Sequence, residues 1–239
     1  WEPYVWYKRL MGMKKTDKIP AGFISEKKKN PFLQKLSIWV RGNILIPDPR
    51  VFWVNPSVKF LNDYIKKEQI KTIISTGPPH SMHLIALNIK RLQPKIQWIA
   101  DFRDPWTNID FYQELMLTSW ADKKNRRLEK DVLQEADIVL TVSNSWAKDL
   151  EKISNRKIHV ITNGYDEADF IHVKDLFPNE DFFTIHHIGS MNKDRNPKTL
   201  WKALSEMIQE DGVFKKKLKI KLTGQTDHSV IESIKNNEL

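Results

Sequence analysis

The stretch Ile96-Gln97-Trp98-Ile99-Ala100-Asp101-Phe102-Arg103-Asp104-Pro105-Trp106 is a short apolar run that breaks off at two carboxylates, an arginine and a tryptophan. A run of that length bounded by polar residues reads as a buried strand. Three other predicted strands end in the same way. Thr72–Ser75 runs into Gly77-Pro78-Pro79-His80, Ile138–Val142 into Ser143-Asn144, and Ile158–Ile161 into Asn163-Gly164. As parallel neighbours, these strands would gather their tips along the carboxyl edge of one sheet, where open α/β sheets bind ligands.

The intervening segments fit helices. Apolar spacing predicts a helix through Val58, Leu61, Ile65 and Ile70, opened by Pro56 and Ser57, and further helices over Ser81–Leu92, Gln113–Gln134 and Ser145–Lys152. The helix Gln113–Gln134 is charged on one side through Asp122, Lys123, Lys124, Arg126, Arg127, Glu129 and Lys130. Strands alternating with helices imply βαβ units, a mainly parallel sheet and right-handed crossovers. The pattern lapses between Asp166 and Asp181. It restarts with strand Phe182–Ile188, helix Pro197–Gln209, strand Leu218–Thr223 and helix Asp227–Lys235. Two such units make a small sheet, so the second domain is expected to be cut short. The chain opens at Trp1, which suggests a processed product or an excised fragment.

Residues 1–50 read as irregular or weakly helical, interrupted by Pro31, Pro47 and Pro49. They hold eleven Lys and Arg against four acids, which places +7 of the net +9 in the first fifth of the chain. Such local charge attracts anionic lipid, nucleic acid or acidic substrates, or is simply a solvated surface. There is no cysteine, which excludes disulfides and thiolate chemistry and fits a cytoplasmic setting. No apolar run reaches the roughly 18 to 20 residues of a membrane span. The eight glycines are never closer than nine residues, so neither a G-x-G-x-x-G turn nor a P-loop is present. His80 with His83, and His186 with His187, lack a third ligand at a metal spacing. No motif supports nucleic-acid binding.

In order and spacing, Gly77-Pro78-Pro79-His80-Ser81, Ala100-Asp101-Phe102-Arg103-Asp104-Pro105-Trp106, Val142-Ser143 and Asn163-Gly164-Tyr165-Asp166 resemble glycosyltransferase family four. Pro47-Asp48-Pro49 with Trp53 and Pro56 adds to the match. His187-Ile188-Gly189-Ser190 followed by Arg195-Asn196-Pro197 looks like the opening of that family's second domain. The resemblance implies a GT-B architecture, two Rossmann-like domains facing each other across a cleft. Residues 1–168 would form the acceptor-side domain, 169–181 a linker and 182–239 the start of the donor domain.

It also implies transfer of a sugar from a nucleoside-diphosphate sugar to an acceptor hydroxyl, with retention, in polysaccharide or glycolipid assembly. No cofactor beyond the donor substrate is implied. The acceptor would be a sugar or a lipid-linked sugar, placing the enzyme in the cytoplasm or at the inner membrane face, in contact with anionic lipid. The family's first glycine-rich loop and its paired-glutamate donor motif are not recognisable, so this chain alone is expected to be inactive. The competing reading is a non-catalytic basic module that binds anions or a membrane surface.

Site residues follow from both readings. His80 and Asp101 are the catalytic candidates. Gly77 permits a tight strand exit, and the helix start after His80 offers free N–H groups to a phosphate or carboxylate; a rigid turn is the alternative. Asp101, first off the strand, suits substrate hydroxyls, while Asp104 is its possible acid/base partner. Arg103 is placed to tether Asp104 or meet phosphate, and Trp106 to stack on a sugar or pack the loop. Ser143 and Ser145 read as helix caps. Asn163 stands before Gly164, where a positive φ is expected. Gly189, Ser190 and Arg195 are the donor-phosphate candidates, with Asn196 as cap and Pro197 as first helical residue. In the resemblance, Arg195 neutralises the donor diphosphate. No metal is assigned.

Overall fold

The computed structural model describes residues 31–110, 112–170 and 181–239, in two compact units that divide at Tyr165 and Asp166. In the first unit, α1 spans Pro31–Asn43 and a 3₁₀ turn Pro49–Trp53 leads into α2, Val54–Lys67. Then follow β1 (Thr72–Gly77), α3 (Ser81–Leu92), β2 (Gln97–Phe102), α4 (Ser119–Glu135), β3 (Ile138–Thr141), α5 (Asn144–Ser154) and β4 (His159–Val160). The strands lie side by side in the order β1-β2-β3-β4, all parallel. Right-handed crossovers in a sheet wound steadily one way put α3, α4 and α5 on the same face. One core results, in which Leu84 and Leu87 of α3, Val132 and Leu133 of α4, and Leu150 of α5 meet Trp98, Ala100 and Phe102 of β2. Trp98 and Phe102 are fully buried. The opposite face carries Ile74, which is 69% exposed.

In the second unit, β5 (Phe183–Ile188) and β6 (Leu218–Thr223) pair in parallel, connected through α6 (Lys198–Glu210) and α7 (Gly212–Lys217), and α8 (His228–Asn236) closes the described chain. Its core gathers Met191, Trp201, Leu204 and Val230 against Ile185, Ile220 and Leu222. The α/β class and parallel sheets are therefore as expected from the sequence.

Several local expectations are corrected. Residues 31–43, read as irregular or weakly helical, form the regular helix α1: Pro31 opens that helix rather than breaking it, because a first-turn proline lacks only an N–H that would be unpaired anyway. The basic residues before 31, and the linker residues 171–180, lie outside the described residues. Helix α2 begins at Val54, not Pro56, since the 3₁₀ turn runs straight into it. The helix expected over Gln113–Gln134 starts at Ser119. Tyr112–Leu115 is a 3₁₀ turn, Met116 takes φ 51°, and Thr118 caps the true helix by accepting from the Ala121 amide. Gly164 has no positive φ; among the described residues, Gly189 and Gly224 are the glycines that do.

Candidate functional site

The carboxyl edge of the four-stranded sheet is built where β1 and β2 end together. Register pairs Thr76 with Asp101 and Gly77 with Phe102. Period-2 geometry puts Thr76 and Asp101 on one face, and the Thr76 hydroxyl donates to Asp101 Oδ2 at 2.8 Å. Asp101 is therefore the last outward residue of β2, half-buried, rather than the first residue of a loop. The Arg103 amide donates to the Gly77 carbonyl at 3.1 Å, and its guanidinium Nη2 to the Pro78 carbonyl at 2.9 Å. Gly77, Asp101 and Arg103 are thus drawn together. The Arg103 fork is tied to the diproline turn rather than to Asp104. Both the Gly77–Pro78 and Pro78–Pro79 peptides are cis.

Behind this edge stands an aromatic column. The Phe102 and His83 rings lie 4.5 Å apart, His83 and His80 5.8 Å, and His80 and Trp106 4.8 Å with planes 5° from parallel. Trp98 Nε1–H donates to Ser75 Oγ at 2.9 Å, and Ser75 Oγ meets His83 Nδ1 at 2.8 Å. An indole can only donate, so the serine accepts from it and still has a second lone pair and its own proton to offer His83 Nδ1, the direction of that bond following the ring's tautomer. The Pro105 carbonyl interacts with the His80 ring and favours its charged form. His80 Nδ1 and His83 Nε2 are both buried and unpartnered. Burial lowers the His80 pKa to about 4, against the raising effect of the Pro105 carbonyl. Burial, then the neighbouring His80 and Arg103, holds His83 well below the usual range. Both rings are neutral near pH 7.

The loop after β2 is anchored from α4. Trp106 Nε1–H donates to Asn125 Oδ1 at 3.1 Å, and Asn125 in turn donates to the Ala121 carbonyl. Thr107 donates to the Glu129 carboxylate through its hydroxyl, 2.5 Å, and its amide, 3.3 Å. Trp106 is buried, stacked on His80, and so packs the loop in this structure. Glu129, read from sequence as part of the charged outer side, is 1% exposed, and burial raises its pKa against the Thr107 and Trp106 bonds. Sequence reasoning missed Asn125 and Glu129 as supports. The signal was there: they stand four and eight residues after the buried Ala121, on the core stripe.

The helix start after His80 is not an open anion site. Asp48 Oδ2 accepts from the Ser81 amide at 2.8 Å and Oδ1 from the Ser81 hydroxyl at 3.0 Å. The next two amides, of Met82 and His83, bond the Pro79 and His80 carbonyls. An internal carboxylate already occupies the place expected for a ligand. At the next tip, Ser143 caps α5 by accepting from the Trp146 amide. Asn163 and Gly164 follow β4 on the exposed surface.

In the second unit, Gly189 leaves β5 with φ 132° and its amide donates to Thr223 O at 2.8 Å. Ser190 is exposed beside it. Asn192 caps the 3₁₀ turn Lys193–Arg195, and Arg195 is exposed at its end. Asn196 does not cap α6. Its side chain accepts from Trp201 Nε1 at 2.8 Å and donates to Ser233 of α8, so Pro197 precedes the helix without a side-chain cap.

The family model described as Glycosyltransferase Family 4 matches residues 23–169. No curated protein matches the chain. Among solved structures, the chain is similar to the S. aureus MnaA–UDP co-structure, with 15% identity and a TM-score of 0.39, over 77% of this chain and 49% of that one. A Listeria monocytogenes structure described as a UDP-N-acetylglucosamine 2-epimerase gives 13% identity and a TM-score of 0.36, over 75% and 46%. The chain spans about half the length of either. Among the described residues, no helix is long and apolar enough to cross a membrane.

Proposed function

Because the chain belongs to glycosyltransferase family 4, we propose that it serves transfer of a sugar from a nucleoside-diphosphate sugar to an acceptor hydroxyl, with retention. The observation that carries this reading is the Thr76–Asp101 pair at the carboxyl edge of a parallel sheet, in a chain of that family. Asp101 offers a half-open carboxylate, fixed by a hydroxyl, to orient acceptor hydroxyls. Arg103 and Asp104 after β2, and Asn163 after β4 two strands away, serve as substrate contacts, with Gly77 allowing the close turn at the end of β1. His80 is the second catalytic candidate. In this structure its ring is buried and its Nδ1 has no partner, so it reaches substrate only after the ring turns.

Gly189, Ser190 and Arg195 are assigned to the donor diphosphate, where a guanidinium and backbone amides stabilise charge developing on the leaving group. No cofactor or metal is invoked. The acceptor is a sugar or lipid-linked sugar of polysaccharide or glycolipid assembly, met at the cytoplasmic face of the membrane. A non-catalytic anion-binding module is the alternative, and turnover separates the two.

The test is calorimetric titration of the full-length protein with a panel of nucleoside-diphosphate sugars, followed by its turnover with the donor that binds. Arg195→Ala should weaken donor binding by about tenfold or more. Asp101→Asn should leave donor binding intact and lower turnover about 10²-fold. Binding of none of the panel would sink the reading.

A further inference from the structure

Helix α1 is stitched to the turn ahead of α4 by one buried side chain. Asn43 Nδ2 donates to the Trp39 and Met116 carbonyls at 2.9 and 3.1 Å, and its Oδ1 accepts from the Thr118 amide at 2.6 Å. Gly42 lies against the same turn, where a side chain would strike the Leu115 carbonyl. These bonds hold the C-terminal turn of α1 against the Met116–Thr118 segment that leads into α4. Exposed there are Trp39 (39%), Ile44 (60%), Met116 (47%) and Trp120 (62%), with Leu36.

Cations surround these apolar groups. Trp120, Lys123, Lys124 and Arg127 fall at i, i+3, i+4 and i+7, one stripe of α4 opposite its buried Ala121–Asn125 side. Lys124 Nζ lies 4.9 Å from the Trp120 ring centroid. Lys35 and Arg41 stand exposed on α1. Among the described residues none of these five cations makes an ion pair, whereas Arg126, on the neighbouring side of α4, is paired with Asp122.

From this arrangement we infer that the α1–α4 surface docks on the anionic face of a lipid bilayer. Charge selects the occupant's sign, since unpaired lysines and arginines are attracted to acidic headgroups. The apolar residues select a bilayer over a soluble polyanion. Tryptophan settles at headgroup depth, and Ile44, Leu36 and Met116 gain only where hydrocarbon replaces water. Long basic side chains reach up to phosphates while their stems lie on the apolar ground. In giving a lipid-linked acceptor its place, the inference rests on the proposed transfer reaction, yet it is measurable without turnover.

The experiment is co-sedimentation of the full chain with vesicles of equimolar phosphatidylcholine and phosphatidylglycerol, against phosphatidylcholine alone, at about 50 and about 500 mM salt. Binding should require the anionic lipid and weaken with salt. Trp120→Ser should lower it about tenfold, and Lys123→Glu/Lys124→Glu/Arg127→Glu should abolish it, with melting temperatures unchanged. Brominated phosphatidylglycerol should quench tryptophan emission, less so in Trp120→Phe. Failure to bind vesicles overturns the inference, as does equal binding by the variants. Binding to heparin or duplex DNA that ignores Trp120→Ser, without vesicle binding, would make the surface a polyanion contact instead. Nucleotide-sugar titration of the same charge variant separates the readings: vesicle binding without donor binding ends the transfer proposal alone, and the reverse ends this one alone.

Discussion

Asp48 caps a helix that begins 33 residues later, its carboxylate bonded to both the amide and the hydroxyl of Ser81. The contact closes the turn that carries His80, because Ser81 is the next residue. Removing a cap of this kind costs about 1–2 kcal/mol. Asp48→Ala is therefore expected to lower the unfolding free energy by that amount in urea titration, and Asp48→Asn by less than half of it. An unchanged midpoint in Asp48→Ala would show that the cap holds nothing.

Acid should destabilise the first unit through its paired histidines. A depressed folded-state pKa means the unfolded chain binds more protons between the two values, so stability is fully present above 6.5 and is lost as pH falls toward about 4. For His80 the loss is on the order of 3 kcal/mol. His80→Phe keeps a ring against Trp106 but no proton site. Its unfolding free energy should vary less steeply from pH 6.5 to 4 than the parent's, and an identical slope would exclude His80 as the titrating group.

Gly77 is required by what it touches. A Cβ there would lie 2.6 Å from His83 Nε2 and 3.0 Å from His80 Nδ1. Gly77→Ala should cost about 1–3 kcal/mol through forced displacement of the rings. In a His83→Ala background the same change should cost distinctly less, and a double-mutant cycle with no coupling would refute the clash.

Glu129 holds the Asp104–Thr107 loop from beneath, and its effect on pH dependence is opposite to that of the histidines. Burial raises its pKa, so its contribution is fully present below 4.5 and fades as pH rises through the folded value. Glu129→Ala strands Thr107 and should cost about 3 kcal/mol. Glu129→Gln should cost less, and its deficit should shrink as pH rises from 4.5 toward neutrality. A deficit that grows over that range would mean the carboxylate is better satisfied as an anion.

The sheet was legible because Trp98, Ala100 and Phe102 sit in an apolar run that polar residues end sharply, and its parallel sense followed from alternation. Asp101 and Arg103 were legible for the same reason. What supports them was not. The Asp48 cap joins positions that no local pattern relates. Asn125 and Glu129 follow helical spacing, but their polarity places them with Arg126 and Lys130 unless the core stripe is traced from Ala121. Trp106 could stack on a ligand or on its own protein, and only coordinates show that His80 already takes its face. Met116 turned the expected long helix into two pieces because it adopts a left-handed conformation that its side chain gives no reason to expect.

Gly189 and Gly224 meet backbone to backbone, each at positive φ, so that a side chain on Gly224 would run into the Gly189 carbonyl. Neither position can be repaired by shrinking the other, since both are already the smallest residue. A saturation library should therefore leave Gly224 empty of tolerated alternatives, and no second-site suppressor should arise at Gly189.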